Sequence, residues 1–374
     1  MASIQKALVV GGGIGGMSAA ITLRRCGVQV DLVDLDPQWR VYGAGITIAG
    51  ATLRAFKALG ILDEVVAHAY VGDGIQICDR SGQRLGIVPT PAAEEGIAGC
   101  GGIMRPLLHR ILSQRTLRAD VDVRLGMTVD RLDSGAEGVD VVFSDGKEAR
   151  YDLVVGADGL FSRVRKLLFP SAPEPQYTGQ SVWRIAARRP AEIERRHYFL
   201  GGPVKVGLTP VSADQMYMFL LETGPRRSVL GDAELESELA GLLRGCHGGP
   251  LHGILDRRVP GTGIVLRPLE GFLLPGPWHL GRSLLIGDAA HPTTPQLASG
   301  AGMAVEDALV LGEELQRAES VERALEGFMA RRYERCRLVV ENSLEIGRRE
   351  QRRAPIEEQT QLVEQSLRVL AQPI

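Results

Sequence analysis

The stretch that decides the fold is Lys6-Ala-Leu-Val-Val10 followed directly by Gly11-Gly-Gly-Ile-Gly-Gly16. The apolar run predicts a buried strand, and Met17 to Arg25 continues with helical spacing. Glycines at the first, third and sixth positions of the loop let phosphate groups approach the backbone beside a helix N-terminus. This pattern predicts a Rossmann-type strand, turn and helix that binds a dinucleotide. The predicted phosphate-binding residues are Gly11, Gly13, Ile14, Gly15 and Gly16.

An acidic residue ends the next predicted strand. The alternating run Val28-Gln-Val-Asp-Leu-Val33 leads to Asp34, 18 residues after Gly16. A carboxylate in this place accepts hydrogen bonds from the hydroxyls of an adenosine ribose. The alternative is that Asp34 only begins a loop. Neither reading separates NAD from FAD.

The composition argues for a small-molecule partner. Lys and Arg number 43 against 45 Asp and Glu, so the net charge of -2 offers no field for nucleic acid or an acidic membrane. Five cysteines show no metal-ligand spacing, which predicts no metal site and a reducing cytoplasm. The uncharged stretch 7–23 is too short and too rich in glycine for a membrane span. Monomer and homodimer both stay open.

The rest of the chain predicts an α/β fold with a β insertion. From Tyr177 to Leu266 the sequence changes to strand-like runs, interrupted by one helix at 232–244. We therefore predict a discontinuous dinucleotide-binding domain at 1–176 and 267–320, a β-rich substrate domain at 177–266 and C-terminal helices at 321–374, with the strands around 74–103 belonging to either domain. Helices are predicted at 51–68, 104–118, 302–317 and 324–352, the last a solvated charged helix, and short strands at 74–79, 121–123, 138–143 and 151–155.

Two further motifs point to a flavin. The first is Asp152-Leu-Val-Val-Gly-Ala-Asp158-Gly159, and the second runs from Gly287-Asp288 through His291 to Pro295, before Gly300-Ala-Gly302. Together with Gly43-Ala-Gly45-Ile46, these segments resemble the group A flavin-dependent aromatic hydroxylases, whose type member is p-hydroxybenzoate hydroxylase. The resemblance covers about residues 5 to 320 and is nearest to the salicylate and 6-hydroxynicotinate hydroxylase-like members.

The resemblance implies a role for each matched position. FAD would be the cofactor, bound at its pyrophosphate by the glycine loop and at its ribityl chain by Asp288. Asp158 and Gly159 would serve both FAD and the pyridine nucleotide, and Pro295 would lie beside the reactive face of the flavin. The remaining cofactor contacts implied are Asp34 at the ribose, Arg40 and Arg105 at the ADP half, and Gly45, Gly287, Gly300, Ala301 and Gly302 around the ring. A helix that begins near Ala301 would direct its positive end at the reduced flavin, independently of the resemblance.

The implied activity is hydroxylation of a small electron-rich aromatic molecule, in which NADH or NADPH reduces FAD and O2 forms a C4a-hydroperoxide. One alternative is a reductase of the geranylgeranyl-reductase kind, which shares the architecture. Another is a flavin- or NAD-binding sensor without catalysis. A flavin halogenase is disfavoured, because no Trp-x-Trp-x-Ile-Pro segment occurs.

The substrate side is less defined by the sequence. Pro295, Arg184 and Tyr217 are the catalytic candidates, although an ion pair would equally explain Arg184. Strand 204–210 carries no arginine to grip a carboxylate. We therefore expect mainly apolar contacts to the substrate. Lys205 and Arg184 stay open as cations that could replace the missing arginine. Other predictions are that Tyr198 and Thr209 line the pocket floor, that His291 is structural and no base, and that His197, His247 and His252 lie on loops. The chain departs from the pattern of the family it resembles at Ala298-Ser299 and at Gly50-Ala51, and these departures leave the substrate range open.

Overall fold

A six-stranded sheet forms the centre of the computed structural model, which describes residues 4–41, 43–246 and 248–374. Its strands are β1 (Lys6–Val10), β2 (Gln29–Asp34), β8 (Asp122–Leu125), β12 (Leu153–Gly156), β18 (His279–Leu280) and β19 (Ser283–Leu285). Their spatial order is β18-β19-β12-β1-β2-β8, parallel except for β18. The carboxyl ends of β1, β12 and β19 therefore meet at one edge, where ligands of such sheets bind.

A second, seven-stranded sheet lies beyond this edge. Its strands are β5 (Ile75–Asp79), β6 (Arg84–Val88), β13 (Gln176–Arg188), β14 (Arg196–Leu200), β15 (Lys205–Pro210), β16 (Gln215–Thr223) and β17 (Val265–Gly271), in the order β17-β13-β16-β15-β14-β5-β6. Side chains alternate between the faces of a strand. On one face, Trp183 and Met218 pack against Leu239 of a covering helix, α6 (Asp232–Leu243). On the other face, Arg184 and Phe219 face a cavity.

Two three-stranded sheets and the remaining helices complete the described chain. One small sheet has β3 (Gly45–Ala49), β4 (Tyr70–Gly72) and β7 (Cys100–Met104), and the other has β9 (Val129–Ser134), β10 (Val139–Phe143) and β11 (Glu148–Tyr151). The helices are α1 (Ile14–Arg25), α2 (Gly50–Ala58), α3 (Leu62–Val66), α4 (Arg105–Arg118), α5 (Arg163–Leu168), α7 (Gly300–Arg317), α8 (Val321–Gln351) and α9 (Ile356–Leu370). None of the helices that the structure describes is long and apolar enough to cross a bilayer.

Three sequence predictions need correction. The helix expected at 51–68 is two helices, α2 and α3, because the chain turns through Gly60 at φ +69°. His197 lies within strand β14 and not on a loop, whereas His247 falls outside the described residues. Helix α8 is not merely a solvated charged helix, since its Arg332 is completely buried.

Candidate active site

A cavity of about 440 Å³ separates the two large sheets. The turns that follow β1, β12 and β19 form one wall, and the exposed face of the seven-stranded sheet forms the other. Predicted site residues in the wall are Gly13, Ile14, Gly15, Gly45, Arg105, Gly159, Arg184, Tyr217, Gly287, Asp288, Pro295, Gly300 and Ala301. The fold thus brings together segments that are up to about 290 residues apart in sequence.

The glycines of the first turn differ in what keeps them small. A Cβ on Gly11 would lie 2.4 Å from the Ala157 carbonyl oxygen, and one on Gly16 would lie 1.8 Å from the Gly11 oxygen. A Cβ on Gly13 would meet no described protein atom within 4 Å. Packing explains Gly11 and Gly16, whereas Gly13 leaves open space in front of the N-terminus of α1. That space fits a phosphate group approaching the free helix amides.

Asp34 connects the end of β2 to this turn. Its carboxylate accepts hydrogen bonds from the Gly12 amide at 2.6 Å and the Asp36 amide at 2.8 Å. Trp39, which the sequence reasoning missed, donates its indole N–H to the Gly12 carbonyl at 2.8 Å. Arg40 lies at the surface, with its Nε 2.8 Å from Asp36. The structure therefore places Asp34 against the glycine turn and Arg40 in the exposed loop that follows β2.

The Asp158 carboxylate is used within the protein. It accepts hydrogen bonds from the Ser162 hydroxyl at 2.5 Å and from the Arg163 and Val164 amides at 2.7 and 3.0 Å. These bonds cap the N-terminus of α5. Gly159, at φ +80°, lies in the cavity wall. The turn is therefore shaped by Asp158, while the surface it offers to a ligand is backbone.

Asp288 and Arg105 face the cavity with their charges unused. Neither side chain forms a hydrogen bond or ion pair with any residue in the described part of the chain. Burial raises the pKa of the Asp288 carboxyl, although His291 and Arg105 act against this. Burial lowers the pKa of Arg105. Asp288 is exposed to the open cavity and Arg105 is half-buried in its wall, so both side chains are free to contact a ligand with hydroxyls and phosphates.

A buried charge cluster supports the Asp288 turn from behind; we call His291, Glu306, Asp307, Arg332 and Arg335 the Arg332 cluster. The Asp307 carboxylate accepts from His291 at 2.7 Å, from the Gly287 amide at 2.9 Å and from Arg332 Nε at 2.8 Å. Both Arg332 and Arg335 donate to Glu306 at 2.8 Å. The sequence reasoning missed the two arginines, which lie on a helix with a mostly charged pattern.

The Arg332 cluster fixes the protonation state of its members. Burial alone would lower the pKa of His291, but the Cys336 thiol and the Asp307 carboxylate raise it well above its usual value. Burial raises and the two cations lower the pKa of Asp307, with a net lowering. His291, Asp307 and Cys336 lie close enough to meet a metal ion. However, both Asp307 oxygens already accept hydrogen bonds from cationic side chains, which identifies the group as an ion-pair network.

Helix α7 begins at the cavity. Gly300 and Ala301 lie in the wall, so the positive end of this 18-residue helix is directed at the enclosed space. Gly302 instead packs on α2, since a Cβ there would lie 2.2 Å from Thr52 Oγ1. Ala298 just before the helix has φ +52°, a left-handed conformation that favours glycine. Ala298, one of the two residues that depart from the family pattern, therefore adds conformational strain to the turn after Pro295.

The opposite wall is aromatic. The Tyr217 ring lies against the backbone of Gly45, where a Cβ would come within 2.1 Å, and its hydroxyl is hydrogen-bonded to Thr47. Tyr198 and Phe219 form an edge-to-face pair with ring centroids 5.5 Å apart. The cavity is lined by Gly45, Thr47, Tyr198, Tyr217 and Phe219. Thr209, which the sequence predicts in the pocket floor, is instead buried behind this surface, with its Oγ1 3.5 Å from Thr47 Oγ1. The wall offers flat apolar surface with a few hydroxyl groups.

Arg184 stands on this wall as an unpaired cation. No residue within the described ranges forms a hydrogen bond or ion pair with its guanidinium. Burial and the nearby Arg105 and Arg267 lower its pKa to about 10, with Tyr217 acting against them. Arg184 is therefore still charged at neutral pH. Lys205, the other cation that could replace the missing arginine, is committed to Glu350 at 2.6 Å.

A dinucleotide turn, an unpartnered acid and a helix N-terminus around one cavity define a flavin-dependent oxidoreductase, and they fit FAD. Comparison with known proteins agrees: a family model described as FAD binding domain matches residues 5–343, so the chain belongs to this family. The chain is an FAD-dependent monooxygenase, and the predicted cofactor and family are confirmed.

Individual relatives cover nearly the whole chain. Bacillus subtilis YetM, provisionally named an FAD-dependent monooxygenase, is 32% identical over 91% of this chain and 93% of its own length. Aurachin C monooxygenase/isomerase of Stigmatella aurantiaca is also 32% identical, over 91% of this chain and 88% of its own. The crystal structure of Klebsiella pneumoniae HpxO complexed with FAD and uric acid matches with a TM-score of 0.82 and 26% identity, over 98% of this chain and 93% of that chain.

Proposed function

We propose that the protein uses NADH or NADPH and O2 to hydroxylate a small, electron-rich aromatic or heteroaromatic substrate. The observation that carries this is the position of the cavity. It lies between the flavin-binding turns on one side and the aromatic wall of Tyr198, Tyr217 and Phe219 on the other. A flat ring held against that wall would face the flavin edge beside Pro295. The relative that binds uric acid, a fused heteroaromatic ring, supports this substrate class.

FAD, when bound, supplies the redox chemistry: it accepts hydride from the pyridine nucleotide and activates O2. The protein residues have the other tasks. We assign the pyrophosphate to the α1 amides in front of Gly13 and to Arg105, and the ribityl hydroxyls to Asp288. The amides at Gly300 and Ala301 would contribute about 0.5–2 kcal/mol toward an anionic reduced ring through the end of α7. Asp34 would bind the ribose through the lone pairs that its two amide contacts leave free.

The aromatic wall would position the substrate and exclude water. Tyr217 and Thr47 share a hydrogen bond beside the space for the ring, so either hydroxyl can accept or donate to a ring substituent. Loss of a phenolic proton makes a ring a better nucleophile toward activated oxygen. Enclosure of the cavity between two sheets would limit the access of water, which would otherwise decompose the activated oxygen before it reaches the substrate.

The experiment is a measurement of NAD(P)H and O2 consumption by the purified holoenzyme. A panel of phenols, hydroxybenzoates and N-heterocycles would be tested with and without O2, and both product and H2O2 would be quantified. We expect a true substrate to accelerate both consumptions and to yield hydroxylated product, and a poor analogue to yield H2O2 instead. Hydride transfer that proceeds equally without O2 would identify a reductase. Turnover of neither co-substrate would identify a sensor.

A further inference from the structure

We propose that Arg184 is the specificity-determining residue of the substrate pocket and that the enzyme selects planar aromatic anions, bound through a ring carboxylate or through a ring that is itself deprotonated. This deepens the proposed function by naming the charge of the substrate. It also replaces the expectation of a pocket with only apolar contacts. Four observations lead to it: the place of Arg184, the shortage of negative charge around it, its separation from the residues assigned to FAD, and the ion pairs and hydrogen bonds of the neighbouring cations.

The first observation is the place of Arg184 on the wall. It stands on β13 directly opposite Phe219 of β16, and the cavity-facing Val182 is its neighbour on the same face. Tyr217 follows on β16, two residues along from Phe219. Arg184 thus belongs to the aromatic wall and is near Arg105 on the cofactor side of the cavity. A ring lying on this floor would bring an acidic substituent within reach of Arg184.

The second observation is the shortage of negative charge around Arg184. Arg105 and Arg267 also line the cavity, so three cations are present. The two acids in the wall are Asp288, which belongs to the flavin turn, and Glu270, whose carboxylate is 2.8 Å from Arg226. A partly buried arginine without an acid costs stability, and the cost is recovered when a planar anion supplies two parallel hydrogen bonds.

The third observation separates Arg184 from the cofactor. Under the proposed function, the turns in front of Gly13, at Asp288 and at the start of α7, together with Arg105, are assigned to FAD, and Arg184 lies on the opposite wall. The fourth observation is that Lys205 is held by Glu350 at 2.6 Å and Arg196 by the Tyr198 hydroxyl. Among the other described cations on this face of the sheet, Arg184 and Arg267 have no acid partner. Arg267 is exposed and donates to the Leu266 carbonyl at 3.1 Å, whereas Arg184 is half-buried beside the aromatic rings, which makes Arg184 the better candidate for the substrate.

The test compares Arg184→Met with Arg188→Met, a matched control that removes an exposed cation from the same strand. Binding to the oxidised holoenzyme would be followed by perturbation of the flavin absorbance, without NAD(P)H. The carboxylate arm uses 4-hydroxybenzoate against 4-hydroxybenzamide and 6-hydroxynicotinate against its amide. The ring-anion arm uses urate against hypoxanthine.

We expect the wild type and Arg188→Met to prefer the anion in at least one arm by about 10- to 100-fold in Kd. Arg184→Met should lose that preference, with unchanged affinity for the neutral member and unchanged FAD content. Arg184→Lys should keep part of it, because the charge remains but the planar fork is lost.

Two results would overturn the inference: a wild type that binds no anion more tightly than its neutral partner, or a methionine variant that weakens both members equally. A variant that alters flavin reduction in the absence of any aromatic compound, with selectivity intact, would assign Arg184 to the cofactor and would also count against it. Because binding is measured without turnover, a failure of the hydroxylase proposal would appear separately, as anion binding with no oxygenated product.

Discussion

Two groups of charged side chains lie on either side of the Asp288 turn, and they differ in whether their charges have partners within the protein. In the Arg332 cluster every carboxylate oxygen and every cation that we have described is paired at 2.7–2.9 Å. In the cavity, Asp288, Arg105 and Arg184 have no partner among the described residues. The first group holds protein to protein. The second group has no such partners, and we propose that a ligand supplies them, so the pairing of charges would separate structural residues from binding residues.

The largest effect that we expect is the loss of stability on replacing Arg332 in the paired group. Arg332→Met removes the cation that neutralises Asp307 and Glu306 in a fully buried place. We expect the free energy of unfolding to fall by about 3–5 kcal/mol, since two buried acids each lose one of their cationic partners. Urea unfolding of the apoprotein measures it. Arg337→Met on the same helix, whose arginine pairs with exposed glutamates, should change stability by less than about 0.5 kcal/mol. Equal losses in both variants would contradict the structural role of the cluster.

The next effect is on the ligand and not on the fold. Asp288→Ala should weaken FAD binding by about 10- to 100-fold, because charge-assisted hydrogen bonds to the ribityl hydroxyls are lost. Stability of the apoprotein should stay within about 0.5 kcal/mol of the wild type, because the Asp288 side chain is exposed to the cavity and forms no bond to the described chain. Flavin fluorescence on dilution gives the Kd, and Asp145→Ala in an exposed hairpin turn is the control. Gly13→Val should act in the same way through blocked space. Full retention of FAD by both variants would exclude this binding mode.

A smaller effect is the pH dependence contributed by His291. Since its pKa in the folded protein is raised, its contribution to stability is complete below the unfolded value of about 6.5 and declines as pH rises through the folded value. His291→Gln should therefore cost most in mildly acidic buffer and less at alkaline pH, with a slope of at most about 1.4 kcal/mol per pH unit. Unfolding curves from pH 6 to pH 9 would measure it. A difference that grows with pH would show the imidazole to be neutral.

The smallest effect that we expect is on stability when Arg184, a member of the unpaired cavity group, is replaced. Arg184→Met should leave the unfolding free energy of the apoprotein within about 0.5 kcal/mol of the wild type, or raise it, because no protein contact of the charge is lost. Thermal unfolding without flavin, beside the Arg332→Met variant, provides the measurement. A destabilisation of several kcal/mol would mean that Arg184 has a protein partner after all.

The sequence predicted the dinucleotide half well because its signals are local. The glycine turn, Asp34, Asp158 and Asp288 each follow directly on a buried strand, so a short pattern determines where they lie. The flavin itself was inferred from the order of motifs over some 300 residues. What local patterns could not show is that Asp158 caps a helix while Asp288 stays unpaired.

The cluster and the pocket were much less predictable, since both depend on contacts between distant segments. Arg332 lies in a helix of alternating charges, and only its approach to Asp307, 25 residues earlier, shows that it is buried. The sequence allows Arg184 to form either an ion pair or a substrate contact. That question required knowing that no acid in the described chain reaches it. Burial of α8 on α7 and the pairing of β13 with β16 provided these answers.

The six-stranded sheet also has a consequence for synthesis of the chain. Strand β12 pairs with β1 on one side and with β19 on the other, and β19 begins at Ser283. The ribosome therefore delivers the glycine turn long before it delivers β19, the Asp288 turn and the N-terminus of α7. Until then, β12 exposes an unpaired apolar edge, which is a site of wrong association for nascent chains.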